Sequence, residues 1–126
     1  MDFEEALAEE LYTIECLRDK VFPLNAKEGT KAPYVIFLSS IGLQDKSFEG
    51  YLDSKVIPCE INILHKSYRE LKPLTKQVLN KILSFQDRKI GSEGPVIKNV
   101  TYEEPVELYE QQVNLFRSVF DIKVRI

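Results

Sequence analysis

The chain has 126 residues, 44% hydrophobic and 29% charged, the balance of one globular domain, 1–126, with a real core rather than a disordered segment. Its net charge of −3, with Lys and Arg scattered, argues against a nucleic-acid binder, which carries a basic excess. No apolar run reaches the ~20 residues that span a bilayer, and the acidic start Met-Asp-Phe-Glu-Glu is unlike a signal peptide, so a cytosolic protein with no membrane partner is expected.

Residues 2–18 have the spacing of an amphipathic helix. Phe3, Leu7, Leu11, Ile14 and Leu17 share a face, while Asp2, Glu4, Glu5, Glu9, Glu10 and Glu15 load the others. That acid run is either a solvated face or a docking surface for a basic partner. Val21-Phe-Pro-Leu24 is a short extended piece, because Pro23 steers Phe22 away from helix. A loop over 25–32 leads through Pro33 into a strand from Tyr34 to about Ile41. Its Tyr-Val-Ile-Phe-Leu run is apolar on both faces, which places it centrally in a sheet. The polar stretch Gly42–Ser54 carries Phe48, Tyr51 and Leu52. It is an extended hairpin tip or a mobile loop, its aromatics packed back or offered to a partner.

Lys55–Lys66 alternates as a second long strand, with Ile57, Cys59, Ile61 and Ile63 on one face and Val56, Pro58, Glu60, Asn62 and Leu64 on the other. Ser67-Tyr-Arg-Glu70 has capping-box spacing before a helix running to about Phe85. Pro73 is a cost to that helix unless it begins near Lys72. Gln86–Gly94 breaks the pattern, and Pro95–Tyr102 reads as a third strand. Glu103–Gln112 is an acidic link interrupted by Pro105. In the final strand Phe116, Phe120, Ile122, Val124 and Ile126 oppose Arg117, Val119, Asp121, Lys123 and Arg125. The expected fold is therefore α+β: two helices on one face of a mostly antiparallel four-stranded sheet, in the order α-β-β-α-β-β.

No catalytic motif is found, and no enzyme activity is expected. Phosphate loops, G-x-G-x-x-G and G-x-S-x-G are all missing. Glu103 and Glu104 are neighbours that point to opposite faces of a strand, with nothing apolar to raise a pKa. The single His65 with Cys16 and Cys59 is too little for a metal site, so no metal or cofactor is expected. The thiols suit a reduced compartment. The aromatics Phe116 and Phe120 fall on the buried side of their strand, away from where an RNA-binding sheet needs them.

Over its whole length the chain resembles the tail-completion (tail-terminator, tail-to-head joining) proteins of long, flexible-tailed bacteriophages and prophages. The resemblance lies in an N-terminal helix, Val21-Phe-Pro-Leu24, the loop into Ala32-Pro-Tyr-Val-Ile-Phe37, the strand ending Ile63-Leu-His-Lys-Ser-Tyr68, and the final strand near Phe116-Arg-Ser-Val-Phe-Asp-Ile-Lys-Val124. Pro58 and Pro73 depart from the pattern. The resemblance implies a structural protein of the virion tail, assembled in the bacterial host cytoplasm. It would form a ring, typically a hexamer, at the head-proximal end of the tail tube, ending tube growth and joining tail to head. Its partners would be itself, the tail-tube protein and the head connector, with DNA only in transit; it would be no enzyme. Candidate interface residues are Phe48, Tyr51 and Leu52, with Glu107, Tyr109 and Glu110 in an acidic segment suited to a lumen that DNA crosses. The alternative is a cytosolic adaptor that binds one protein by a sheet edge or loops.

Overall fold

The longest strand, β4, organises the molecule. A computed structural model describes residues 1–126. The elements in chain order are α1 (Phe3–Leu11), a 3₁₀ turn (Glu15–Leu17), β1 (Val21–Pro23), β2 (Tyr34–Ser39), β3 (Leu43–Ser47), β4 (Gly50–His65), α2 (Tyr68–Leu83), β5 (Arg88–Lys89), β6 (Val96–Ile97), β7 (Asn99–Tyr102), β8 (Val106–Glu110) and β9 (Leu115–Arg125). β4 pairs antiparallel with β9 from Val56↔Arg125 to His65↔Phe116 and with β2 from Cys59↔Ser39 to Leu64↔Tyr34.

The expected four-stranded sheet is corrected here. The sheet has seven strands in the order β1-β2-β4-β9-β7, with β3 added to β4 and β8 to β9, and β5-β6 forms a separate two-stranded ribbon. It is also mixed, because β1 runs parallel to β2 through Val21↔Val35. The strands missed are two to five residues long, too short for alternation to register. β1 and β7 become strands by pairing with β2 and β9, 14 and at least 20 residues away, while β3 and β8 are short arms of local hairpins with β4 and β9. The expected third strand is really two: Ile97 pairs with Arg88 in the ribbon, and Asn99 with Arg125 in the main sheet. The chain changes partner at Lys98, where the Gln86 side chain donates to the Lys98 carbonyl and accepts from the Val100 N–H. The acidic link contains β8, paired with β9 from Val106↔Val119 to Glu110↔Leu115.

One face of the sheet is covered and the other is open. Val35, Phe37, Ile57, Cys59, Ile61, Ile63, Phe120, Ile122 and Val124 point to the covered face and join Phe3, Leu7 and Leu11 of α1 and Leu71, Leu74, Val78 and Ile82 of α2 in one buried cluster. Each fully buried Leu, Ile or Phe there contributes about 1.5–3 kcal/mol. α1 ends at Leu11, earlier than its apolar spacing predicts; Leu17 is buried from the 3₁₀ turn instead. Asp2 caps α1 by accepting from the Glu5 N–H at 2.8 Å. α2 keeps Pro73 inside it, and Ser67 caps it through the Glu70 N–H. The other half of the expected capping box is replaced: the Ser67 N–H donates to His65 Nδ1 at 3.0 Å, and Glu70 faces His65 Nε2 at 3.3 Å.

Part of the acidic run on α1 is spent inside the chain. Glu10 accepts from Arg88 Nη1 and Nη2 at 3.2 and 2.7 Å and from the Gly91 N–H at 2.8 Å. Glu9 accepts from the Ser92 N–H at 2.9 Å. These bonds strap the ribbon onto α1, where Ile90 and Ile97 close the core. Two glycines allow close approaches. A Cβ at Gly94 would lie 2.2 Å from the Ile90 carbonyl oxygen and 2.5 Å from Ala6 Cβ. Gly42, at φ +92°, turns the chain from β2 into β3, and its Cβ would sit 2.9 Å from Ile57 Cγ1 and from the Val56 carbonyl oxygen. Pro58 is tolerated because it falls at this same break, between the β2 pairing that ends at Cys59 and the β3 pairing that begins at Val56.

Two outcomes follow. Gly42→Ala forces a left-handed φ and a backbone clash, and is expected to cost about 1–3 kcal/mol in urea unfolding. The hydrogen bond from Arg88, reinforced by the Gly91 N–H and opposed by burial, holds the Glu10 carboxyl below its usual range. That stabilisation is complete above the unfolded-state pKa of about 4.3 and is lost as pH falls through the lower folded value. Glu10→Gln should therefore cost about 1–2 kcal/mol at neutral pH, discounted for the partly exposed Arg88. The gap from the parent should narrow as unfolding is measured at pH values below about 4; a gap that stays constant with pH would contradict this account.

Candidate interaction surfaces

The region 42–54 is neither a loop nor packed back on the domain. The β4–β9 pairing runs one residue past Val56, where Lys55 and Ile126 exchange backbone N–H···O bonds of 3.3 and 3.0 Å. Beyond Lys55 β4 continues as an arm paired only with β3, through Lys46↔Tyr51 and Ser47↔Gly50. The second strand thus begins at Gly50 rather than Lys55. A bulge between Gln44 and Lys46 turns the arm. Asp45 fixes its base, accepting from Ser54 Oγ at 2.8 Å across the hairpin and from Arg125 Nη1 at 2.6 Å on β9. Both hydrogen bonds, that from Ser54 first, draw the Asp45 carboxyl below its usual value. Phe48 is the tip and is fully exposed; Tyr51 and Leu52 are exposed behind it. Lys46 Nζ lies 5.3 Å from the Tyr51 ring centre, and Gln44 Nε2 donates to the Leu52 carbonyl at 3.0 Å.

Glu107, Tyr109 and Glu110 lie at the other end of the sheet, on β8. Glu107 pairs with Lys72 of α2, whose hydrogen bond is the main cause of its lowered pKa. Its Oε2 and the Oγ of Ser118, directly opposite on β9, are buried with no partner. Tyr109 stacks obliquely on Phe116 with ring centres 5.0 Å apart. Glu110 meets Arg117 Nη1 at 2.7 Å. Both acids therefore have a cation of their own chain. The six candidate residues form two groups of three, not one patch; fourteen residues of β4 at ~3.3 Å each put roughly 45 Å between Tyr51 and the His65 end.

Sequence reasoning missed the open face. Tyr34, Leu64 and Leu115 form a small buried cluster on it, but Ile36 is only partly covered and Leu38 is exposed. The apolar run of β2 signals burial on both faces, whereas only one is fully covered. A groove of about 260 Å³ is lined by Leu24, Ile36, Leu38, Leu64 and Val113 among others. Three of its polar members are bonded: Arg117 Nε donates to Asn62 Oδ1 at 2.7 Å and its Nη1 to Glu110 at 2.7 Å, and Asn62 Nδ2 donates to Glu60 at 3.0 Å and to the Ile36 carbonyl at 3.3 Å. A larger groove of about 520 Å³ lies along Ser39, Pro58, Glu60, Asp121 and Lys123. No three His, Cys, Asp or Glu side chains gather as a metal cluster, and no helix is long and apolar enough to cross a membrane.

No family model and no curated protein matches this chain. Its fold does match a chain of the solved structure "Virion of native gene transfer agent (GTA) particle", at a TM-score of 0.69 and 13% identity. The match covers 98% of this chain and 92% of that one, so the two share one fold from end to end.

Burial on the covered face pushes the Cys59 thiol up to about 12, while Cys16 lies at the surface. A maleimide at neutral pH should label one thiol, Cys16, in the native chain and two after denaturation. Labelling of Cys59 without denaturant would mean that the helices do not seal that face.

Proposed function

We propose that this chain is a structural protein of a phage-like virion and, within that class, a tail-completion protein. In this reading several copies, six in the expected case, form a ring at the head-proximal end of the tail tube. The ring ends tube growth and offers its far surface to the head connector, and DNA passes through it in transit. The protein assembles in the bacterial host cytoplasm, works in the virion tail, needs no cofactor and catalyses no reaction. The observation that carries the reading is the end-to-end fold likeness to a chain of a gene transfer agent virion. The layout supports it: a ring subunit needs two different flanks, and this molecule has an arm with an exposed Phe48 at one end of β4 and an uncovered groove lined in part by Leu24, Ile36, Leu38 and Val113 toward the other.

Electron microscopy of particles from an induced host lacking the gene, beside the complemented strain, tests this. Filled heads apart from tails, with tubes of abnormal length or unfinished ends, are expected only in the deletion strain. Normally joined virions there would exclude the tail-completion role.

A further inference from the structure

We propose that the outer flank of α2, carrying Arg69, Lys76 and Leu83, docks into the acidic groove between α1 and β1 on the next copy. That groove holds about 470 Å³. Its apolar lining includes Ala8, Tyr12, Val21, Pro23 and Phe37, and its acids are Asp2, Glu4, Glu5 and Glu9. No basic side chain lines it, so the carboxylates outweigh the Met1 amino group beside them. Asp2 caps α1 and Glu9 holds Ser92, but no ion pair within the chain takes Glu4 or Glu5. They are what remains of the acidic run once Glu9 and Glu10 have fastened the ribbon. A groove of this kind suits an occupant that is basic and partly apolar.

The same chain presents such an occupant at the opposite edge of its sheet. Arg69, Lys72, Lys76 and Leu83 follow at i, i+3, i+7 and i+14, which sets them on one stripe of α2. All four are exposed. The stripe faces outward over β8, because Lys72 reaches Glu107 there. Lys72 is thereby engaged, whereas Arg69 and Lys76 belong to no ion pair. Glu70, the one acid of α2, turns instead to His65. Each copy carries a net charge of −3, yet at this contact unlike charges meet, which both attracts and fixes the register. The spacing matches as well. Lys76 to Leu83 and Glu5 to Tyr12 are both seven residues, about 10 Å of helix. With the two helices parallel, Lys76 opposite Glu5 therefore brings Leu83 opposite Tyr12.

The occupant is another molecule because α2 cannot enter its own groove. β1 and β7 bound opposite edges of the sheet, with β2, β4 and β9 between them. Four steps of ~4.8 Å put roughly 19 Å across that span. Groove and stripe are different patches, so the contact is head-to-tail and closes into a ring or runs on as a filament. The inference deepens the ring reading and rests on it for closure.

The test joins cross-linking to charge exchange, in a Cys16→Ser background where the remaining Cys59 is buried. Ala8→Cys and Leu83→Cys are combined in one chain and treated with a short bis-maleimide, both as purified protein and in particles from the complemented strain. The double variant should give a ladder of dimer, trimer and higher species in at least one sample, while each single variant stops at dimer. Glu5→Lys or Lys76→Glu, both at exposed positions, should each cut the ladder by about tenfold or more, and the two together should restore it. Glu4→Gln with Glu5→Gln, and Arg69→Gln with Lys76→Gln, remove charge without reversing it and should weaken the ladder too. Thermal melting beside the parent confirms that each variant is folded. A double-cysteine variant that matches the singles in both samples overturns the proposal. So does a folded exchange pair that stays as weak as its singles, a ladder indifferent to charge removal, or an Ala8→Cys that joins only a different virion protein. A ladder alongside normally joined virions in the deletion strain would keep the contact and remove the tail role. Separated heads and tails with no ladder would keep the tail role and remove the contact.

Discussion

The β4–β9 register is the constraint on which the rest of the molecule depends. Ten residues of β4 lie opposite ten of β9, and the pairing sets Ile57, Cys59, Ile61 and Ile63 beside Phe120, Ile122 and Val124 on one face. A slip of one residue would move every one of these side chains to the opposite face. The two helices have a surface to cover only in this register. The same register leaves Glu60, Asn62, Arg117, Asp121 and Lys123 on the open side, where Arg117, Asn62 and Glu60 bond to one another on an uncovered surface.

The arm is a consequence of unequal partnership along β4. That strand has sixteen residues, but its pairing with β9 and the following Ile126 reaches only to Lys55 and its β2 pairing only to Cys59. What remains has β3 alone for company and projects from the sheet. Gly42 permits the corner into β3, and Pro58 sits where no ladder N–H is required. A subunit built this way is unlike at its two ends.

Charge is used in two ways. Glu9 and Glu10, which look like part of a solvated acidic face, hold the ribbon of β5 and β6 against α1. Glu107 and Glu110, which look suited to a lumen, are paired with Lys72 and Arg117. Except for Glu110, seven residues from Arg117 across the β8–β9 hairpin, the partner is far away in sequence, and no local pattern reveals it.

The long elements were legible because burial writes a period into them. α2 with its Ser67 cap, the inward row of β4 and the alternation of β9 all follow from spacing and local chemistry, and so does the freedom of both thiols from a disulfide. Phe48, Tyr51 and Leu52 stand out in sequence as apolar residues in a polar stretch, and the structure leaves them exposed. Tertiary structure alone decided the strand β8 in the acidic link, the split of the expected third strand into β6 and β7, the choice of hairpin over loop for 42–54, the parallel pairing of β1 with β2, the separation of the candidate residues and the uncovered face of β2. Side-chain period records only whether a face is buried within one segment. Which distant strand supplies the hydrogen bonds, and which face goes without a cover, is set by the register of the whole sheet.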